Sequence, residues 1–255
     1  MSAVTLHISE GTALVRLENP TKLNAFTIEM LDHLDAHLTT IERDPSVRVV
    51  IVTGSGEKAF CTGADIDAWG HLSPAEFARH WVRDGHRIFD KLATLSKPTI
   101  GALNGHTFGG GLELAAACDI RLLTPRATLA LPEARVGIVP GWSGTQRLTR
   151  LIPEPMIKEM ALFGRRLTPE RALACGFAAA IEEHVLAAAQ AIAAEAPALS
   201  PRATEITKNM IHAAVGEDRG ASVEALGSAA IAATDDRTEG VAAFQEKRKP
   251  TFEGN

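Results

Sequence analysis

The 255-residue chain has no tyrosine, only three cysteines, and neither a long hydrophobic run nor a long basic one. Each absence removes a class of function. Without tyrosine there is no phenolic acid or base. Cys61, Cys118 and Cys175 are odd in number and lack the close pairing of metal sites and redox dithiols, so they are expected as free, buried thiols. Nine histidines form no His-Glu-x-x-His cluster, and no metal is expected. No stretch approaches the roughly 18 apolar residues of a membrane span. The first residues, MSAVTLHISE, lack the basic and apolar regions of a signal peptide, so the expected compartment is the cytoplasm. Twenty-six Lys and Arg against 31 Asp and Glu give a formal charge of -5, which with no long basic run points away from nucleic acid and anionic membranes as partners. What is present is 45% hydrophobic content, enough for one large domain or one domain with an appendage.

The first half alternates strand-like and helix-like stretches. Val4 to Ile8 and Ala13 to Leu17 flank Glu10-Gly11-Thr12 as a hairpin, and Val47 to Val52 is a β-branched run ending at Gly54. Between them, Thr27 is placed to cap a helix in which Met30, Leu31, Leu34, Leu38 and Ile41 recur at helical spacing before Asp44-Pro45. Pro74 to Leu95 reads as one longer helix, and Ile120 to Thr124 as a strand. Beyond about Pro153 strand signals vanish and helical segments follow, near 154–163, 169–175, 184–195, 201–214, 223–233 and 238–248. The pattern is an α/β fold of repeated strand, strand, helix units with a helical tail. Val241, Phe244 and Phe252 on that tail are expected to pack on the core or on a neighbouring subunit.

The chemistry centres on NGHTFGGGLELAAACD, Asn104 to Asp119. Gly109, Gly110 and Gly111 read as a strand-to-helix turn between the apolar run Thr99 to Leu103 and the helix-forming Leu112 to Ala117. Bare glycines let a ligand reach the first helical N–H groups, which suit an oxyanion. Glu113 lies two residues on, and Glu133 follows in LALPEARVGIVPG. Taken singly, each has an ordinary explanation: a carboxylate in a first helical turn is favoured by the macrodipole. Together with a second glycine-rich segment, PGWSGTQR (Pro140 to Arg147), they supply what chemistry at an activated carbonyl needs, N–H donors and groups that move protons. Other motifs fail. Neither Gly54-Ser55-Gly56 nor the triple glycine completes a dinucleotide fingerprint, and Gly141-Trp142-Ser143-Gly144 has Thr145 where a nucleophile elbow needs glycine. Ser143 is read as a turn or cap residue, His106 as a neighbour of the pocket, and His80 and His86 as surface residues.

AFCTGADI (Ala59 to Ile66), KPTIGALNGHTFGGGLELAAACDIRL (Lys97 to Leu122) and LPEARVGIVPGWSGTQRL (Leu131 to Leu148) resemble the enoyl-CoA hydratase/isomerase, or crotonase, family in order and spacing. NPTKLNAF (Asn19 to Phe26) and EGVAAFQEKRKPTF (Glu239 to Phe252) extend the resemblance over essentially the whole chain. It implies a crotonase-like spiral of β-β-α turns, assigned to residues 1–190 with the active site, and a C-terminal helical trimerisation region, assigned to residues 191–255. Homotrimers, often paired into hexamers, are the implied assembly.

The resemblance further implies an acyl-CoA thioester as ligand, with coenzyme A part of the substrate and no separate cofactor. By motif position the oxyanion-hole N–H groups come from Ala64 and Gly110. Ala64, Asp65, Ile66 and Asp67 line the coenzyme A path, and the segment around Lys247 holds the nucleotide. Glu113 and Glu133 match the catalytic glutamates of the hydratases, which implies reversible addition of water to a 2-enoyl-CoA to give a 3-hydroxyacyl-CoA through a thioester enolate. Isomerisation, hydrolysis and a non-catalytic acyl-CoA-binding role are the alternatives. Trp142 stands where many relatives carry glycine or alanine. It either packs outward or narrows the acyl pocket, for which Trp69, Phe77 and Trp81 offer an aromatic wall or simply core.

Overall fold

The computed structural model describes residues 2–217 and 219–254. Two compact units are present, Met1–Pro201 and Arg202–Asn255.

The first unit opens with the hairpin β1 (Ala3–Ser9) and β2 (Thr12–Glu18), followed by α1 (Ile28–Arg43). The Thr27 side chain accepts from the Met30 N–H, and the helix buries Met30, Leu31, Leu34, Leu38 and Ile41, so cap and periodicity act as the sequence predicts. Three successive excursions then each give one strand to each of two sheets. These are β3 (Val49–Gly54) and β4 (Ala59–Cys61), β5 (Thr99–Leu103) and β6 (His106–Phe108), and β7 (Ile120–Leu123) and β8 (Leu129–Ala130). The larger sheet runs β1-β2-β3-β5-β7-β9, where β9 is Ala180–Ile181, and the smaller runs β4-β6-β8. All pairs except β1·β2 are parallel. This is the β-β-α spiral of the crotonase fold.

Between β4 and β5 lie α2 (Ile66–Trp69), α3 (Pro74–Glu76), a π-helical turn (Phe77–Val82) and α4 (Arg83–Ala93). The stretch read as one helix is therefore continuous from Pro74 but under-wound in the middle, where the hydrogen bonds lengthen to i→i+5. The next helices are α5 (Gly110–Ala117), α6 (Gly144–Leu151), α7 (Glu154–Phe163), α8 (Pro169–Ala174) and α9 (Val185–Ala193). Two findings correct the sequence reading. The triple glycine follows β6, not the Thr99–Leu103 strand directly, and a strand does occur after Pro153: β9 adds to β7 through Leu122↔Ala180 and Leu123↔Ile181. Two residues of pairing in an alanine-rich stretch leave no period-two pattern to detect.

Every residue of β3 is buried because both sheet faces are covered. Val50 and Val52 join the main core with α1, α4 and α5, whereas Val49, Ile51, Ile100, Ala102 and Leu122 pack against Val185, Ala189 and Ala193 of α9. The second unit holds α10 (Pro201–Ala214), α11 (Arg219–Ala232) and α12 (Asp235–Glu246). Within it Val241, Phe244 and Phe252 are exposed.

Candidate active site

Helix α5 is buried along its whole length, and Glu113 is its one polar side chain. A helix apolar all round belongs inside a protein, so this carboxylate is carried into the core by its neighbours. Glu113 Oε1 accepts from the Trp142 and Gly144 N–H groups, both at 2.8 Å. Burial raises the Glu113 pKa, and the two N–H donors oppose that rise by favouring the charged form. Glu133, in the short 3-10 turn Glu133–Val136, is also buried, and its Oε2 has no hydrogen-bond partner among the described residues. Burial foremost, with the charge of Glu113 adding to it, pushes the Glu133 carboxyl up to about 7.

The glycines make room for these groups. Gly109 has φ +51°, and a Cβ there would stand 2.8 Å from Glu133 Oε1. A Cβ on Gly110 would meet the Trp142 ring at 2.6 Å, and one on Gly111 the Cys61 carbonyl oxygen at 2.2 Å. Gly63, at φ +101°, brings the GAD loop beside the same turn, with a Cβ position 3.3 Å from the Gly110 nitrogen. That loop is fixed by NPTKLNAF: the Phe26 N–H donates to the Gly63 carbonyl, and the Asp65 N–H donates to the Phe26 carbonyl, both at 2.8 Å. Asn24 anchors the motif in turn, donating to the Ser55 and Ala59 carbonyls at 2.9 Å each. Among the described residues, neither the Ala64 nor the Gly110 N–H has a backbone partner.

A cavity of about 290 Å³ is lined by Ala64, Ile66, Gly110, Glu113, Glu133 and Trp142, together with Trp69, Phe77, Trp81, Val82, Val136 and Val139. Trp142 therefore faces inward, and the aromatic residues form a wall of the cavity. The π-helical turn sets Phe77, Trp81 and Val82 toward the same space; such turns recur at functional sites. Asp65 and Asp67 are not part of the lining. Asp65 caps α2, and both hold the Lys22 ammonium, at 2.8 and 2.6 Å. His106 also lies off the lining; it bonds Thr128 at 3.0 Å and stacks on Phe108. Lys247 ends α12 in the left-handed region. Among the described residues no group of three or more His, Cys, Asp or Glu could hold a metal ion.

Sequence reasoning missed the support behind Glu113. Ser143, between the two N–H donors, is buried with φ +75° although it is not glycine. Its hydroxyl lies 2.9 Å from a His86 ring nitrogen and 3.3 Å from Asp90 Oδ1, and Asp90 also pairs with the buried Arg147. A serine within a glycine-rich segment was the available signal, but partners 53 and 57 residues away in sequence leave no local pattern. The thiols are free: Cys61 and Cys118 are buried, and Cys175 is half-buried.

Two buried carboxylates and two residues whose N–H groups have no backbone partner among the described residues line one largely apolar cavity, an arrangement suited to chemistry beside a carbonyl. The model of the enoyl-CoA hydratase/isomerase family matches residues 7–255. The mitochondrial enoyl-CoA hydratase of Pongo abelii is 36% identical over 250 residues, covering 94% of this chain and 82% of that protein. The (E)-benzylidenesuccinyl-CoA hydratase of Thauera aromatica is 35% identical over 258 residues, covering 98% and 99%. The crystal structure of an enoyl-CoA hydratase from Bacillus anthracis superposes with a TM-score of 0.81 at 32% identity, covering 99% of each chain. The chain belongs to the enoyl-CoA hydratase/isomerase, or crotonase, family, whose members act on acyl-CoA thioesters. No helix among the described residues is long and apolar enough to cross a membrane.

Proposed function

We propose that the protein is an enoyl-CoA hydratase that adds water reversibly to a 2-enoyl-CoA. The observation that carries this reading is the convergence of Glu113 and Glu133 on the cavity edged by Ala64 and Gly110. The Ala64 and Gly110 N–H groups receive the thioester oxygen and stabilise the enolate that forms when C3 is attacked. Glu113, where two N–H donors oppose the rise in pKa that burial causes, is assigned the base: it takes a proton from water as the water oxygen bonds to C3. Glu133, neutral below about pH 7, gives its proton to C2 and completes the 3-hydroxyacyl thioester. A proton passed from Glu113 to Glu133 through solvent resets the site. The names of the hydratase relatives agree with this reaction, and the coenzyme A moiety enters with the substrate.

The same reading makes the protein a homotrimer or homohexamer, supported by the apolar side chains the single chain leaves exposed, Phe163, Met210 and Phe244 among them. Incubation with crotonyl-CoA should consume the conjugated thioester absorbance and give a product one water heavier. An unchanged double-bond count with a moved double bond would instead mark an isomerase, and free coenzyme A a hydrolase.

A further inference from the structure

Trp142 closes the apolar end of the cavity. Its side chain is 3% exposed, the indole N–H donates to the Trp81 carbonyl at 3.2 Å, and ring centroids of Trp81, Phe89 and Phe26 lie 5.2, 5.1 and 5.9 Å away. The indole stands between glycines of two different helices. A Cβ on Gly85 of α4 would fall 2.2 Å from its Nε1, and one on Gly110 of α5 would fall 2.6 Å from its Cζ3. Two missing side chains thus leave a slot between α4 and α5, running from Gly110 toward Phe26 and Phe89, and the indole occupies it.

We propose that Trp142 is the acyl-length determinant of this site: it blocks the slot that a long acyl tail would enter and restricts the ligand to short or flat acyl thioesters. This rests on reading the cavity as the acyl site. Removing the indole leaves the Trp142 N–H, and with it the hold on Glu113, in the backbone. The slot then becomes an apolar channel walled by Phe26, Phe89 and Trp81. Each methylene buried there tightens binding by about fourfold.

The test is calorimetric titration of wild type, Trp142→Ala and Trp142→Phe with acetyl-, butanoyl-, octanoyl- and decanoyl-CoA. These saturated thioesters report binding whether or not hydration occurs. Wild type should bind butanoyl-CoA best and decanoyl-CoA about tenfold or more weakly, and Trp142→Ala should reverse that order, with Trp142→Phe between them. Wild type binding decanoyl-CoA as tightly as butanoyl-CoA overturns the proposal even if neither variant folds, as does an unchanged preference in a folded Trp142→Ala. A short-chain preference in a protein that fails to hydrate crotonyl-CoA would remove the hydratase reading and leave the role of Trp142 standing. Failure to bind any acyl-CoA would remove both.

Discussion

Glu113 and Glu133 are chemically alike and differently held, and the division of labour proposed for them rests on that difference. Glu113 accepts two N–H bonds at 2.8 Å, whereas Glu133 Oε2 has no partner among the described residues. If Glu133 serves C2, Glu133→Gln should abolish exchange of the C2 protons of butanoyl-CoA with heavy water, while Glu113→Gln should keep exchange but lose hydration; mass analysis separates the two. Glu133 also sets a pH dependence. Its carboxyl rises from the ordinary 4.5 to about 7, so between those values the folded chain keeps a proton that the unfolded chain releases. Stability therefore falls as pH climbs through that window, by up to about 3 kcal/mol, and stays low above it. If Glu133 is the proton donor to C2, hydration should slow above about pH 7, where its carboxyl ionises. Glu133→Gln should melt several degrees higher than wild type at pH 8 and about equally at pH 4, while being far less active. Glu113 and Glu133 were legible as candidates from the motifs they sit in. Their unequal environments were not, because the N–H donors to Glu113 come from a segment 29 to 31 residues further on.

At the scale of elements, the segment Gly141 to Gly144 decides whether Glu113 is held. A Cβ on Gly144 would fall 2.5 Å from Glu113 Cγ, so Gly144→Ala should displace the carboxylate and cut turnover by about a hundredfold or more, visible in steady-state rates with the fold intact by circular dichroism. Ser143 carries a strained φ of +75°, and its hydroxyl is tied to His86 and Asp90. Ser143→Ala keeps the strain and loses the ties, and should cost about 1–2 kcal/mol in denaturant unfolding; Ser143→Gly loses the ties but relieves the strain and should cost less. Legibility here tracks length and periodicity. The cap and apolar stripe of α1 and the bounds of α7 and α10 could be read directly. β4, β6, β8 and β9, two or three residues each, could not, because they exist through pairing with strands remote in sequence. The π-helical turn escaped for a related reason: its sequence, FARHWV, carries helical propensity but nothing that specifies an under-wound turn.

For the molecule as a whole, the alternation of strand and helix signals announced an α/β fold of strand, strand, helix units, and the resemblance to the crotonase family implied the spiral. Only the structure shows that successive strands go to different sheets, leaving the Gly63 and Gly109 loops side by side. Assembly is the property of the whole chain with most at stake. Phe244 is 86% exposed and Met210 62% exposed in the single chain, an arrangement that favours burial against other copies. Light scattering should give a mass of three or six chains, and Phe244→Asp should lower it; a monomer at micromolar concentration would contradict the assembly. The central claim, that two carboxylates share one hydration, is tested most directly by the steady-state rate of crotonyl-CoA hydration in wild type, Glu113→Gln and Glu133→Gln. Each single variant should lose at least about a hundredfold in kcat while still binding butanoyl-CoA. Near-wild-type turnover in either variant would contradict it.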